Sequence, residues 1–130
     1  MSGAVVIGAG PGIGRSVARR FAREGLPVAV VSRTTATVRA VADEVAALGV
    51  RAVPLTADSA DEVSLRGALD AASDELGPPD VVVYNAAIIQ QDAPGDLSAQ
   101  AHLDAWAVNV VGAITAAAHV APGMVARGSG

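Results

Sequence analysis

The chain has 130 residues, a length that suits one domain with its own hydrophobic core. Hydrophobic residues make up 52% and charged residues 17%, which is typical of a folded protein and excludes a disordered one. The net charge of −4 argues against nucleic acid or an anionic membrane as a partner, and the absence of cysteine excludes disulfides and thiolate metal sites.

The N-terminal segment MSGAVVIGAG carries no basic leader of the kind that begins a secretion signal. Glycine and proline interrupt the apolar stretches, so we expect no segment that is long enough to span a bilayer. Together these features predict a soluble protein of the cytoplasm.

Four short segments rich in valine predict the strands of a sheet. They cover residues 3–8, 26–31, 51–55 and 80–84. Apolar and polar residues do not alternate within them, which indicates strands that are covered on both faces. A parallel sheet between two layers of helices meets that requirement.

Longer segments with helical periodicity separate these strands, and each has one apolar stripe. The stripes are Ile13, Val17 and Phe21 in the first helix, Val38, Val41, Val45 and Leu48 in the second, and Leu65, Leu69, Ala72 and Leu76 in the third. Ser59 and Glu62 have the spacing of a capping box and predict the start of the third helix. A fourth, alanine-rich helix is predicted from about residue 98 to residue 119. The alternation predicts an α/β fold with a doubly wound parallel sheet.

The segment VVIGAGPGIGR places four glycines between the first strand and the first helix. The free N–H groups and the positive dipole end of a helix attract an anion at that point. Gly8 can make the tight turn, Gly12 lets the backbone approach a pyrophosphate, and Gly14 lets the helix pack closely on the strand. An ordinary turn of small residues is the alternative, but the complete strand–helix–strand unit favours a phosphate-binding loop.

The glycines follow the pattern Gly-x-x-x-Gly-x-Gly, across Gly8, Gly12 and Gly14. In this spacing the sequence resembles the short-chain dehydrogenase/reductase family, whose loop commonly has isoleucine where this chain has Ile13. Ile7 replaces the threonine that often precedes the first glycine. The resemblance covers essentially the whole chain and implies a Rossmann-type, NAD(P)-binding oxidoreductase.

Three later positions agree with the resemblance. Asp58, after the third strand, matches the aspartate that contacts the adenine in the family. In the segment YNAA, Asn85 and Ala86 match the family's Asn-Asn-Ala-Gly near the inner ribose, whereas the first and last residues depart from it. Asn109 matches the asparagine that anchors the water of the proton relay, and it is the candidate catalytic residue. The alternative for Asn109 is a polar residue in a helix of small residues.

The end of the second strand, in the segment VVSRTT, bears on the choice of cofactor. A carboxylate at this point would bind the ribose hydroxyls and repel a 2′-phosphate, whereas an arginine would attract the phosphate. Arg33 lies nineteen residues after Gly14, with Ser32 and Thr34 beside it as hydroxyl donors. We therefore expect NADP(H) in preference to NAD(H), although Arg33 could instead be a solvated arginine at a helix start.

The chain contains no lysine, and its one tyrosine, Tyr84, falls in the fourth predicted strand. The resemblance implies catalysis by a tyrosine, a lysine four residues later and a serine that orients the substrate oxygen. Tyr84 is followed at that spacing by Ile88, so it cannot be that tyrosine. We expect residues 1–130 to form a dinucleotide-binding domain that is incomplete relative to the family fold and inactive by itself.

The leading interpretation is the cofactor-binding half of an NADP(H)-dependent oxidoreductase that acts on a small carbonyl compound or secondary alcohol. A non-catalytic dinucleotide-binding module or partner subunit is the alternative, and a decayed gene product is the third possibility. In the truncated fold the fourth strand is expected to be an edge with a partly uncovered apolar face.

The fourth helix bears on assembly and on metal binding. The resemblance implies a subunit interface on the Asn109 helix and therefore a homo-oligomer. The helix has an apolar stripe that agrees with this, made of Leu103, Trp106, Val110 and Ile114. His102 and His119 lie near opposite ends of this helix without a partner at ligand spacing, so no metal site is expected.

Overall fold

The computed structural model describes residues 3–130. In this part of the chain the sheet consists of β1 Ala4–Ile7, β2 Val28–Ser32, β3 Ala52–Thr56 and β4 Val81–Tyr84. The helices between the strands are α1 Ile13–Arg23, α2 Thr35–Ala46 and α3 Glu62–Leu76. One continuous helix follows β4, and it is made of α4 Ala99–Trp106, a π-helical turn Ala107–Val111 and α5 Gly112–Arg127.

All neighbouring strands are parallel, and their order in the sheet is β3-β2-β1-β4. The register places Ala4 of β1 between Val28 of β2 and Val81 of β4. The carboxyl ends of all these strands therefore lie at one edge of the sheet. The predicted class, a doubly wound parallel sheet of Rossmann type, is confirmed.

Alternate residues of β1 contribute to two different core layers, because successive side chains of a strand point to opposite faces. Val5 and Ile7 pack in the layer that contains α3 and part of α5. Val6 packs in the layer that contains α1 and α2. Both faces of the central strands are thus buried, which explains why their sequences are apolar without alternation.

The buried face of α1 differs from the predicted stripe. Its buried residues are Gly14, Ala18 and Ala22, whereas Ile13 is 70% exposed. Val17 and Phe21 are only partly buried against the same layer. The small residues face the sheet because they let the helix lie close to it, and the larger side chains pack at its margin.

The predicted cap of α3 is also wrong. The N-cap residue is Asp61, whose carboxylate accepts a hydrogen bond of 2.9 Å from the Ser64 N–H. Ser59 lies outside the helix, in the turn that follows β3. Both residues can cap a helix, and the spacing of Ser59 and Glu62 alone did not distinguish them.

The last helix is longer than predicted, because it continues through Pro122 to Arg127. The resulting segment Ala99–Arg127 has 29 residues and is, by length and composition alone, able to cross a membrane. This corrects the expectation that glycine and proline would divide the stretch. Within α5, Thr115 and Ala116 are buried, and Ala116 belongs to the core layer shared with α3.

Strand β4 has a pairing partner on one side only within residues 3–130. Its residues are half-buried, in contrast to the fully buried β1. A groove of about 450 Å³ runs between β4 and α5, with Val82, Tyr84, Val120 and Met124 among its walls. The described sheet therefore has the partly uncovered edge that the sequence predicts.

The contact between α1 and the end of β1 depends on Gly14. An ideal Cβ on Gly14 would lie 2.8 Å from the Ala9 Cα atom, a contact that requires the backbone to move. We expect Gly14→Ala to lower the free energy of unfolding by about 2 kcal/mol, as measured by urea denaturation.

A matched control is Gly67→Ala on the exposed side of α3, where an ideal Cβ would meet no atom within 4 Å. This variant should raise the free energy of unfolding by about 0.5–1 kcal/mol, because alanine favours a helix over glycine. Equal stability of the Gly14→Ala variant and the unmodified protein would contradict the close approach.

Candidate functional site

A cleft of about 240 Å³ lies at the carboxyl ends of the strands. The end of β2 and the segments that follow β1, β3 and β4 contribute residues to it, and this crevice is where open parallel sheets bind their ligands. Its lining consists of Gly8, Gly10, Ser32, Arg33, Ala57, Asp58, Ser59, Asn85, Ala86, Ala87, Ile88 and Val108. Six of the residues predicted from the sequence are thus brought together, namely Gly8, Ser32, Arg33, Asp58, Asn85 and Ala86. The other predicted residues, Gly12, Ile13, Gly14, Thr34 and Asn109, lie outside this lining.

Gly8 is where two loops meet. It has φ of +85°, and an ideal Cβ would lie 2.6 Å from the Asn85 carbonyl carbon and 2.7 Å from the Ala86 Cα atom. A side chain here would be strained by the backbone conformation and would also collide with the loop after β4. The Asn85 side chain joins the loops, because its Nδ2 group donates to the Gly8 carbonyl at 3.2 Å.

The start of α1 is open. Gly12 is the N-cap residue, no side chain caps the helix, and its first turn contains no acidic residue. An ideal Cβ on Gly12 would meet no atom within 4 Å, so nothing in residues 3–130 covers this position. Ile13 is exposed beside it. A helix N-terminus with this space in front of it is suited to an anion.

Arg33 lies on the cleft at the end of β2 and is exposed. It has no hydrogen bond or ion pair with the described residues, whereas Arg15 contacts Glu44 at 2.7 Å and Arg20 contacts Glu24 at 2.7 Å. The guanidinium of Arg33 is therefore available to an anionic ligand.

The hydroxyl groups beside Arg33 have protein partners. The Ser32 hydroxyl donates to the Thr34 carbonyl at 3.3 Å, and the Thr34 hydroxyl donates to the Thr37 hydroxyl at 2.6 Å. These bonds belong to the turn that leads into α2, so both residues help to shape the position of Arg33. Ser32 also lines the cleft, whereas Thr34 does not.

Asp58 lies across the cleft after β3. Its Oδ1 atom accepts a hydrogen bond of 2.9 Å from the Ala60 N–H, and its own N–H donates to the Ser64 hydroxyl at 3.0 Å. These two bonds hold the turn before α3. Ser59 lines the cleft as well, although the sequence had suggested only a helix cap for it.

Asn109 lies in the π-helical turn and is paired with the backbone of Ile88. Its Oδ1 atom accepts from the Ile88 N–H at 2.7 Å, and its Nδ2 group donates to the Ile88 carbonyl at 2.9 Å. Asn109 thereby holds the loop after β4, and Ile88 lines the cleft. Sequence reasoning missed Ile88, because an isoleucine in a loop carries no signal of such a contact.

The two histidines have acidic neighbours that are distant in sequence. His119 contacts Asp70 at 2.7 Å, and His102 lies 3.6 Å from Asp92. Among residues 3–130 there is no group of three or more side chains that could hold a metal ion.

The parallel sheet, the glycine turn before α1 and the cleft across the strand ends define a Rossmann-type α/β protein. The family model for short chain dehydrogenases matches residues 2–130. The chain belongs to the short-chain dehydrogenase/reductase family, which is a family of oxidoreductases.

Known proteins resemble the chain over almost all of its length. It is 36% identical to the Glycine betaine reductase ATRR of Emericella nidulans, a match that covers 98% of this chain and 10% of that protein. It is 38% identical to the Probable oxidoreductase EphD of Mycobacterium tuberculosis, over 96% of this chain and 21% of that protein.

Among solved structures, an actinorhodin polyketide ketoreductase variant with NADPH superposes with a TM-score of 0.92 at 34% identity. That match covers 98% of this chain and 49% of the ketoreductase. The chain therefore spans half or less of the length of these proteins.

Proposed function

We propose that the chain is the cofactor-binding part of an NADP(H)-dependent oxidoreductase that transfers hydride between the nicotinamide and a small carbonyl compound or secondary alcohol. The main observation behind this proposal is that Arg33, which has no ion pair within residues 3–130, and the tight turn at Gly8 share one cleft. Family membership supports a nicotinamide dinucleotide, and the NADPH in the ketoreductase structure supports the same ligand class.

The chain's residues fit the parts of such a cofactor. The turn of Gly8, Gly12, Ile13 and Gly14 would hold the pyrophosphate, because the N-terminus of α1 is open and no side chain fills the space before it. The negative charge of a pyrophosphate would be stabilised there by the backbone N–H groups and by the helix dipole.

The remaining cleft residues would contact the two nucleosides. Asp58 would contact the adenine, and Asn85 with Ala86 would border the inner ribose, by analogy with the family. The cofactor, when bound, supplies the hydride chemistry, whereas these residues bind and orient it. Asn109 would act in the proton relay, in addition to holding Ile88.

Arg33 would determine the preference for NADP(H). A guanidinium can bind a 2′-phosphate through two parallel hydrogen bonds, and no protein carboxylate competes for it within residues 3–130. Ser32 and Thr34 would support the phosphate from the same turn.

We expect Arg33→Ala to weaken NADPH binding by about 10- to 100-fold, because a charge-assisted contact is lost. NADH lacks the 2′-phosphate, so its affinity should stay the same. The dissociation constants of both cofactors can be measured by isothermal titration calorimetry.

Arg23→Ala is the matched control, because Arg23 is an exposed arginine at the far end of α1. This variant should bind both cofactors as the unmodified protein does. An equal loss of NADPH and NADH affinity in Arg33→Ala would contradict a role in selecting the phosphate.

A non-catalytic dinucleotide-binding module is the second candidate. It is favoured by the absence of lysine and by the position of Tyr84 within β4, because the catalytic tyrosine and lysine implied by the family resemblance have no counterparts here. We favour the oxidoreductase because the chain spans only 49% of the ketoreductase that it matches, so these groups would lie in the remainder of a longer protein.

The intact mass of the protein from its native host separates the two candidates. We expect about twice the 12.8 kDa of this chain, with a serine, a tyrosine and a lysine in the added part. A product of 12.8 kDa that binds NADPH without oxidising it would contradict the oxidoreductase and favour the module.

We further propose that the protein forms a homo-oligomer through the helix that carries Asn109. The support is an apolar face on that helix, where Leu103, Trp106 and Ile114 are each about 60% exposed. Burial of such side chains between two copies would remove them from water.

We expect Ile114→Glu to convert the oligomer into monomers, because a carboxylate would have to lose its hydration in the interface. Sedimentation equilibrium gives the mass of the assembly. Val63→Glu is the control, since Val63 is an apolar residue on α3 that is even more exposed than Ile114. A monomeric unmodified protein would refute the proposed interface.

A further inference from the structure

The π-helical turn leaves one carbonyl without its usual helical partner. In a regular α-helix the Val108 carbonyl would accept from the Gly112 N–H, four residues later. Here the Gly112 N–H donates to the Ala107 carbonyl, five residues back. Because Val108 is only 8% exposed, its carbonyl needs another donor.

The hydroxyl of Tyr84 supplies that donor. Tyr84 is the last residue of β4, and its O–H donates to the Val108 carbonyl. The phenol reaches this position because residue 112 is glycine. An ideal Cβ on Gly112 would lie 3.0 Å from the Tyr84 Cζ atom and 2.6 Å from the Ser59 carbonyl oxygen.

The Tyr84 hydroxyl stays protonated and can therefore donate a hydrogen bond. Burial raises the pKa of Tyr84 above its ordinary value of 10.0, and a hydrogen bond with Ser59 offsets part of this effect. The O–H is therefore retained at neutral and mildly alkaline pH, where it can donate to the Val108 carbonyl.

Asn109 is the residue next to Val108 in this turn, and it holds Ile88 through the two hydrogen bonds described above. A contact at Val108 therefore bears directly on the orientation of Asn109. Ser59 and Ile88, in the segments that follow β3 and β4, both line the cleft, and Val108 lines it as well.

We propose that Tyr84 is a positioning residue, whose hydroxyl stabilises the π-helical turn and thereby directs Asn109 onto Ile88. The expected effect of Tyr84 on cofactor binding rests on the function proposed above, whereas its expected effect on the Ile88 amide does not. The departure from the family's Asn-Asn-Ala-Gly at this position thus has a structural role.

The first test is hydrogen exchange of the Ile88 amide, measured by NMR. Tyr84→Phe keeps the ring and removes the hydroxyl, so the Ile88 amide should exchange about tenfold faster while the circular dichroism spectrum is unchanged. Asn109→Ala removes the acceptor of this amide and should have at least the same effect.

The double variant Tyr84→Phe/Asn109→Ala shows whether Tyr84 affects Ile88 through Asn109. If Tyr84 acts through Asn109, the double variant should exchange no faster at Ile88 than Asn109→Ala alone. Fully additive effects, or unchanged exchange in Tyr84→Phe, would overturn the proposal. Gly112→Ala is an independent variant, because its methyl group would displace the phenol and should reproduce the faster exchange.

The second test compares NADPH with adenosine 2′,5′-bisphosphate, which lacks the nicotinamide half. Tyr84→Phe should weaken NADPH severalfold and leave the bisphosphate affinity unchanged, because Ile88 lies in the same loop as Asn85 and Ala86, which would border the inner ribose. Equal weakening of both ligands would show a general loss of structure and overturn the positioning role. If the unmodified protein bound neither ligand, the proposed cofactor would be wrong, and exchange at Ile88 would still decide the role of Tyr84.

Discussion

The candidate site depends on the close contact between two backbones at Gly8. The turn after β1 and the loop after β4 pack against each other there, and no Cβ atom fits between Gly8 and the Asn85–Ala86 peptide. The contact is possible because β1 and β4 pair in parallel and end at the same edge of the sheet. The hydrogen bond from Asn85 to the Gly8 carbonyl then joins the two loops. As a result, two backbone segments meet at this point of the cleft.

The parallel sheet also brings the carboxyl ends of the other strands to the same cleft. The central strands β1 and β2 are buried on both faces, so their side chains are used for packing and their carboxyl ends are left to carry the polar residues. Arg33 and Asp58 occupy such ends, after β2 and β3. The cleft thus gathers residues that are far apart in sequence, and no single segment could have formed it.

Much of the fold could be predicted from the sequence, because the order of apolar and polar residues depends directly on which of them are buried. The valine-rich segments identified the strands, and the glycine spacing identified the turn at Gly8. The predictions that were wrong concern which residues of a helix contact other parts of the fold. The small residues of α1 face the sheet in place of the predicted apolar stripe, and Asp61 caps α3 where Ser59 was expected.

The contacts around Asn109 were inaccessible to sequence reasoning for a related reason. The π-helical turn is a change of one residue in the hydrogen-bond pattern, and the residue types around it are those of an ordinary helix. Tyr84 and Val108 are 24 positions apart, and nothing in either segment indicates that a phenol and a carbonyl will meet. Such pairs become visible only when β4 and the last helix are placed side by side.

The charges of the chain make Arg33 a stronger indication of an anionic ligand than its exposure alone would be. The protein is acidic overall, so the proposed cofactor, which carries several negative charges, would have to be attracted by local donors and not by the net charge. Several arginines are committed to carboxylates on α1, α2 and α3. Arg33 lines the cleft without such a partner among residues 3–130, and the open N-terminus of α1 adds a second position with partial positive charge. The proposed NADP(H) carries two separate anionic groups, and its pyrophosphate and 2′-phosphate would each have one of these two positions as a partner.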